Sequence, residues 1–182
     1  LVVQDIRGSI AATAIFDFRP EVICHQAAQM DVRRSVEDPA FDADVNVVGL
    51  LRVIEAGRKS GHLRHVLFAN SGGAMYGEQQ RYPADEDHPQ RPESPYGLSK
   101  SVGERYLDWY HRSHGIGYTS LSYANVFGPR QDPHGEAGVV AIFCGRLLAR
   151  RPFTIFGDGE QTRDYVFVGD VVAANCLALD TR

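Results

Sequence analysis

Short apolar runs alternate along the chain with longer segments of helical period. The runs are LVV at 1–3, EVICHQAA at 21–28, HVLFAN at 65–70 and YTSLSYA at 118–124. Their near-continuous apolar character is typical of parallel strands that are buried on both faces. Strands that alternate with helices in this way predict an α/β fold.

Three segments between the first strands have the spacing of a helix. They are 9–17, then 39–59 with Phe41, Val45, Val48 and Leu51 near one face, and 96–114 with Leu98, Val102, Tyr106 and Trp109. Beyond residue 125 the pattern predicts a helix at about 138–150, short strands at TIF (154–156) and DYVFV (164–168), and a helix at 170–179.

Composition narrows the class of protein. The 182 residues are 43% hydrophobic with a net charge of −4, which suits one ordinary globular core. No apolar run approaches the roughly 20 residues that cross a bilayer, and the first residues do not read as a secretion signal, so we expect a soluble protein. Acidic residues are interspersed with the arginines, which argues against a nucleic-acid partner.

The cysteines and histidines predict neither a metal site nor a disulfide. Cys24, Cys144 and Cys176 are far apart and form no CxxC pair, and the histidines show no metal-binding spacing. A reducing, cytoplasmic location follows as the expectation.

The stretch SPYGLSK at 94–100 holds one of the two lysines of the chain. Pro95 is typical of a helix start, and Tyr96 and Lys100 then share one face because they are four residues apart. A nearby cation favours the phenolate form and lowers the pKa of a tyrosine from its usual value of about 10. The alternative is that the two residues are unrelated side chains on a solvated face.

Seven motifs occur in the order known from one protein family. They are QDIR at 4–7, HQAAQ at 25–29, NVVG at 46–49, NSGGAMYGE at 70–78, SPYGLSK at 94–100, YANVFGPRQDP at 123–133 and FGDGEQTRDYVFVGD at 156–170. Together they resemble the extended short-chain dehydrogenase/reductases, specifically the NAD-dependent sugar-nucleotide epimerases and dehydratases. The resemblance implies a Rossmann-like doubly wound parallel sheet.

The expected fold is incomplete. The G-x-x-G-x-x-G turn that holds the pyrophosphate in this fold is absent, and the chain opens in an apparent strand. We therefore expect a fragment, with a partial NAD-binding domain at 1–125 and part of a nucleotide-sugar-binding region at 126–182. Such a fragment is expected to bind NAD poorly, while the intact protein is expected to be a homodimer through helices 39–59 and 96–114.

The resemblance assigns catalytic roles to three residues. Tyr96 is expected to be the acid and base at the sugar hydroxyl, Lys100 to lower the Tyr96 pKa and hold the nicotinamide ribose, and Ser71 to bond the reacting oxygen. Many relatives place that hydroxyl at the position of Gly72, so the register is open by one residue. Alternatively, Ser71 only ends a strand and caps a turn.

The same loop indicates which reaction to expect. Related dehydratases carry an Asp-Glu pair where this chain has Gly72, Gly73 and Ala74, because elimination of water needs an extra acid and base. The expected reaction is therefore epimerisation at C4 of a UDP-sugar of the glucose and galactose type, through a 4-keto intermediate. The alternatives are another nucleotide-sugar epimerase or dehydratase of the family, or a non-catalytic dinucleotide-binding relative.

The remaining site residues follow from the resemblance by position. The expected NAD contacts are Asp5, Ile6, Gln26, Ala27, Ala28, Gln29, Tyr123 and Ala124, and the expected substrate contacts are Asn125, Val139, Phe156 and Arg163. Alternatives remain: Asp5 as a turn residue, Ala27 and Ala28 as packing residues, and Arg163 as the ion-pair partner of Asp164 or Asp170. Asn46 is expected to be a buried helix residue that bonds a neighbouring loop.

Overall fold

The computed structural model describes residues 1–133 and 138–180. In chain order the helices and strands are α1 (Ser9–Phe18), β1 (Val22–His25), α2 (Val32–Glu37), α3 (Pro39–Ala43), a π-helical turn (Asp44–Val48), α4 (Gly49–Lys59), β2 (His65–Ser71), α5 (Gly72–Met75), α6 (Pro95–His114), β3 (Gly117–Tyr123), β4 (Asn125–Phe127), α7 (Val139–Leu148), β5 (Tyr165–Phe167) and α8 (Val168–Asp180). This alternation confirms the predicted α/β class.

Two parallel sheets are present in the described ranges. The larger has the order β1-β2-β3, with Val22 opposite His65 and Ser71 opposite Tyr123. The smaller pairs β4 with β5, starting from Asn125 opposite Tyr165. The larger sheet is all-parallel, as the apolar runs predicted, and it carries its carboxyl strand ends along one edge. The smaller sheet is also parallel, but its strand β4 was not predicted.

The main hydrophobic core lies between the larger sheet and helices α4 and α6. Its buried members are Leu50, Ile54, Leu63, Val66, Phe68, Leu107, Tyr110 and Ile116. Gly103 lets α6 approach this core, since a Cβ there would stand 3.0 Å from the Phe68 ring and 3.1 Å from Leu50. The core therefore fixes α6, the helix that holds Tyr96 and Lys100, against β2.

The helix predicted at 39–59 has the predicted bounds, but its period is not uniformly α-helical. The segment is divided into α3, the π-helical turn and α4. A π turn inserts an extra residue, which rotates the following helix relative to a uniform period of 3.6. The buried face of α4 is therefore Leu50, Val53 and Ile54, whereas Val48 of the predicted face is 38% exposed.

The apolar face predicted for helix α6 points outward. Leu98, Tyr106 and Trp109 are 54%, 39% and 44% exposed, while Leu107 and Tyr110 enter the core. Helix α6 thus has two apolar sides. One side covers the sheet, and the other faces away from it.

Three strand predictions need correction. Residues 1–3 and 154–156 form no strand, and β1 ends at His25 rather than at residue 28. Leu1 and Phe156 are largely exposed, and within the described residues no neighbouring strand pairs with either segment. An apolar run without a pairing partner has no ladder to join. The helices predicted at 9–17, 138–150 and 170–179 are confirmed as α1, α7 and α8.

Candidate active site

The strands of the larger sheet end together at one edge. Ser71 is the last residue of β2 and lies opposite Tyr123, the last residue of β3, while Gln26 directly follows β1. The side-chain amide of Gln26 donates to the Tyr123 hydroxyl at 3.4 Å. Open α/β sheets bind their ligands at this carboxyl edge, and two of the predicted cofactor residues meet there.

Helix α6 begins at the same edge and brings Tyr96 to Ser71. The Ser94 hydroxyl caps the helix by accepting from the Gly97 amide at 3.1 Å, and Pro95 occupies its first turn. Gly97 allows α6 to lie directly on α5, because a Cβ there would overlap the carbonyl oxygen of Ala74. In this position Tyr96 lies beside Ser71, whose hydroxyl acts to lower the pKa of Tyr96.

Ser71 is held by its backbone rather than by a cap. Its amide donates to Oδ1 of the buried Asn70 at 2.9 Å. Although Ser71 precedes α5, its side chain makes no capping bond to that helix. Capping of α5 therefore does not account for the Ser71 hydroxyl, which lies beside Tyr96.

Lys100 lies beneath Tyr96 and is almost fully buried, with 4% of its surface exposed. Its ammonium donates to the Ala69 carbonyl at 2.7 Å, and it lies 4.9 Å from the centre of the Phe68 ring and 5.8 Å from that of Tyr96. Burial lowers the pKa of Lys100 to about 8, although the negative charge of Asp42 opposes this shift.

The expected direction of the Tyr96 pKa is wrong for this arrangement. Burial raises the pKa of Tyr96, the charge of Asp42 adds to the rise, and the Ser71 hydroxyl opposes it. The ammonium of Lys100 is engaged by the Ala69 carbonyl. The cost of burying a phenolate therefore dominates.

His25 ends β1 under the same site and is unavailable as a proton carrier near neutral pH. It is buried and stacks on Phe68 with the ring centres 6.1 Å apart. Burial, and then the positive charge of Lys100, lower the pKa of His25 to about 4. Of His25, Phe68 and Lys100, only Lys100 is therefore a cation.

The loop after β1 is fixed by the π-helical turn. Asn46 is buried, accepts from the Gln29 amide at 2.8 Å through Oδ1, and donates to the Gln29 carbonyl at 2.8 Å through Nδ2. A side chain that satisfies both backbone groups of one residue fixes that residue in place. The prediction that Asn46 bonds a neighbouring loop from inside a helix is confirmed.

The small residues of this loop are open rather than packed. Ala27 is exposed and Ala28 is half-buried, so close helix–sheet packing does not explain why Ala27 is small. Ala124 is half-buried just after Tyr123. At Ala27 and Ala124 the backbone carries only a methyl group, which allows a ligand to approach it closely.

Asp5 has a local structural role. Its carboxylate accepts from the Arg7 amide at 2.9 Å and from the Arg7 guanidinium at 2.7 Å, and Arg7 also pairs with Asp44 at 2.9 Å. These bonds hold the pKa of Asp5 at about 2. Ile6 lies against α4, since a Cβ on Gly49 would stand 2.8 Å from its side chain. The turn role of Asp5 is thus present, and an adenine contact stays a prediction.

The predicted substrate residues are not joined to the catalytic cluster. Asn125 bonds the Asp164 carbonyl at 2.9 Å through its amide and 3.0 Å through its side chain, which ties β4 to the start of β5. Val139 begins α7, and Phe156 is 83% exposed. Arg163 is exposed and donates to the Thr162 carbonyl at 2.7 Å; across residues 1–133 and 138–180 it forms no ion pair with Asp164 or Asp170.

The chain is similar to the proteins of one known family along its whole length. The model of the NAD-dependent epimerase/dehydratase family matches residues 1–182. The chain belongs to this family. It is 53% identical over 174 residues to a UDP-glucose 4-epimerase of Mycolicibacterium smegmatis, covering 96% of the chain and 54% of that relative.

Two solved structures of family members resemble the chain closely. One is the UDP-glucose 4-epimerase of Thermus thermophilus in complex with NAD, with a TM-score of 0.91 and 47% identity, covering 98% of this chain and 60% of that one. The other is the UDP-glucose 4-epimerase of Thermotoga maritima with UDP-glucose. It has a TM-score of 0.91 and 48% identity, and the match covers 96% of this chain and 57% of that one. The chain spans about half the length of the curated relatives it matches.

Three residues that contact the predicted site residues were not predicted from the sequence. Asn70 donates to Glu104 at 2.9 Å and to Ser120 at 3.1 Å while it holds the Ser71 amide. Asn175 of α8 donates to the Tyr123 hydroxyl at 2.7 Å. Only tertiary contacts reveal these two. Asp42 could have been found from the sequence, because it lies one helical turn before Asn46 and so on the same helix face.

The described residues include neither a candidate metal centre nor a helix that could cross a membrane. Within the described ranges, no three His, Cys, Asp or Glu side chains are grouped to hold a metal ion. The helices described here include none that is long and apolar enough to cross a membrane. The cytoplasmic location expected from the cysteines stays a prediction.

Proposed function

We propose that this chain is part of an NAD-dependent enzyme that interconverts the C4 epimers of a UDP-sugar, of the UDP-glucose and UDP-galactose type. The supporting observation is the cluster of Ser71, Tyr96 and Lys100 at the carboxyl edge of the sheet. The names of the close relatives point to the same substrate class.

The residues at the carboxyl edge of the larger sheet suit contacts with NAD. We assign Tyr123 to the nicotinamide, and the open backbone at Ala27 with the anchored Gln29 to the ribose and pyrophosphate. Asp5, Ile6, Gln26, Ala28 and Ala124 complete the proposed set of contacts. When bound, NAD would supply a hydride acceptor for sugar C4 and a positive charge that opposes the effect of burial on Tyr96.

Tyr96 is the proposed proton carrier. Its phenolate takes the proton of the C4 hydroxyl as that carbon is oxidised to a ketone, and the phenol returns the proton when the ketone is reduced on its other face. Ser71, which lies beside Tyr96, donates a hydrogen bond to the same sugar oxygen. The sugar would regain its proton from Tyr96 and its hydride from the reduced cofactor, so it ends with the same atoms and the opposite configuration at C4.

The loop beside Ser71 favours epimerisation over elimination. Gly72, Gly73 and Ala74 lie in α5 directly after Ser71, and they offer no carboxylate to remove water from C5 and C6. A cluster with one proton carrier suits oxidation and reduction at a single carbon.

The proposed diphosphate and uridine contacts are Asn125, Val139, Phe156 and Arg163. Arg163 has the strongest physical case, because its exposed guanidinium has no ion-pair partner in the described ranges and can bind phosphate oxygens through two parallel bonds.

We also propose a homodimer. The exposed side of α6 carries Leu98, Tyr106 and Trp109 in one apolar stripe, with Val102 between them. Val48, at the end of the π-helical turn, is likewise exposed. An apolar stripe of this kind on α6, together with the exposed Val48, suits packing against a second copy.

The test is binding and turnover in two forms of the chain. NAD and UDP-glucose are titrated by calorimetry into the 182 residues alone, and into these residues joined to the flanking segments that full-length relatives have. We expect binding and conversion of UDP-galactose to UDP-glucose in the longer form. Conversion of only a UDP-N-acetylhexosamine would contradict the substrate, and no UDP-sugar binding in either form would contradict the proposed class.

A further inference from the structure

Asp42 is a buried carboxylate that the proposed mechanism does not use. It lies on α3 with 0% of its surface exposed. Its Oδ2 accepts from the Ser99 hydroxyl at 2.7 Å, and its Oδ1 accepts from Asn46 Nδ2 at 3.0 Å and Gln29 Nε2 at 3.1 Å. A carboxylate accepts all three bonds at once, because it has only acceptors to offer.

The three donors belong to three different parts of the site. Gln29 is in the loop after β1, and its backbone is held by Asn46 of the π-helical turn. Ser99 lies on α6 between Tyr96 and Lys100, three residues after the one and directly before the other. Asp42 is therefore bonded both to the proposed cofactor loop and to the helix that presents the proposed acid and base.

We propose that Asp42 is a positioning residue that ties the Gln29 loop to the catalytic face of α6 and supplies the negative charge that balances the buried ammonium of Lys100. The proposal rests on the proposed function for its role in catalysis. Burying an unbalanced ammonium is costly, and no ion pair within 4 Å is formed by Lys100 in the described ranges.

The charge of Asp42 acts on both proposed catalytic groups. It raises the pKa of Lys100 against the effect of burial, and it raises the pKa of Tyr96. The titratable groups that face Lys100 are Asp42 from α3, His25 from β1 and Tyr96 from its own helix. His25 has a pKa of about 4 and burial raises the pKa of Tyr96 above its ordinary 10.0, so neither side chain offers Lys100 a negative charge, and the charge that raises the Lys100 pKa is that of Asp42.

Two substitutions separate the charge from the hydrogen bonds. Asp42→Asn keeps the shape of the side chain, and its remaining oxygen can still accept from Asn46 and Gln29. The new amide nitrogen can donate to the Ser99 hydroxyl, which turns to accept. Only the charge is then lost. Ser99→Ala removes the bond to α6 and keeps the charge. Asp44→Asn is the matched control, because Asp44 is a nearby carboxylate that is 47% exposed and paired with Arg7.

The readout is the titration of Lys100 itself. The chain contains only Lys59 and Lys100, so protein labelled with ¹³C at the lysine ε-carbon gives two resonances, and the exposed Lys59 is the internal reference. We expect Asp42→Asn to move the Lys100 midpoint from about 8 to a lower pH, by about 1 unit. Ser99→Ala and Asp44→Asn are expected to leave the midpoint unchanged.

The outcome decides the charge role without any ligand. An unchanged Lys100 midpoint in folded Asp42→Asn protein, or an equal shift in Asp44→Asn, would overturn the proposal. Because this titration needs neither NAD nor a sugar, its result is independent of whether the proposed reaction is correct. In the full-length form, Asp42→Asn is further expected to shift the alkaline limb of the pH profile of kcat to lower pH, which loss of packing alone does not do.

Discussion

The buried ammonium of Lys100 makes a quantitative prediction about stability. Its pKa falls from an ordinary 10.5 to about 8 in the folded chain. Each pKa unit corresponds to about 1.4 kcal/mol, so the charged lysine costs the fold about 3 kcal/mol near pH 7. An unfolded lysine keeps its proton up to a higher pH than the folded one, and the folded state therefore gains stability as pH rises from about 8 to 10.5.

The perturbation is Lys100→Met, which keeps the length of the side chain and removes the charge. The variant also loses the bond to the Ala69 carbonyl, but that loss does not depend on pH. We therefore expect the difference in unfolding free energy between variant and wild type to change by about 2 kcal/mol between about pH 7 and about pH 10, with the variant relatively more stable at the lower pH.

Urea unfolding of the 182-residue chain at the two pH values provides the measurement. Lys59→Met is the control, because Lys59 is 64% exposed and pairs only loosely with Glu55 at 3.9 Å, and its difference from wild type is expected to stay constant. If the Lys100→Met difference were equally constant, the ammonium would carry no burial cost, and the account of Lys100 would be refuted.

Two further substitutions test how the site is built. Gly97→Ala places a Cβ on the Ala74 carbonyl and is expected to lower the unfolding free energy by about 1–3 kcal/mol, whereas Gly145→Ala on α7 meets nothing within 4 Å and is expected to be neutral or stabilising. Equal urea midpoints for the two would contradict the close packing of α5 on α6. Asn46→Ala leaves both backbone groups of Gln29 without their partner and is expected to cost about 1–3 kcal/mol and to weaken NAD binding in the full-length form; calorimetry showing unchanged affinity would exclude the anchored loop as a cofactor contact.

The sequence predicted the parts of the fold that depend on local pattern. Three such features were predicted: the parallel strands β2 and β3, the start of α6 at Pro95, and the position of Tyr96 and Lys100 on one face of that helix. The strand predicted at 1–3 was wrong, because strand formation depends on a neighbouring strand, which the apolar pattern does not reveal. The π-helical turn was missed as well, since a uniform helical period hides a one-residue insertion.

The electrostatics of the site depended on burial, which the sequence does not show. A lysine four residues from a tyrosine predicts a lowered phenol pKa, but the depth of Tyr96 reverses the direction. Asp42 reads as one more acidic residue on a helix, and only its three bonds to separate segments reveal its place.

The most direct test of the proposed function is turnover by Tyr96→Phe in the full-length form, with bound NAD measured in the same sample. We expect conversion of UDP-galactose to fall by at least about 100-fold while NAD stays bound, since the change removes one hydroxyl and little volume. Tyr106→Phe on the outer side of the same helix is the control and is expected to retain activity. Near-normal turnover by Tyr96→Phe would contradict the assignment of Tyr96 as the proton carrier.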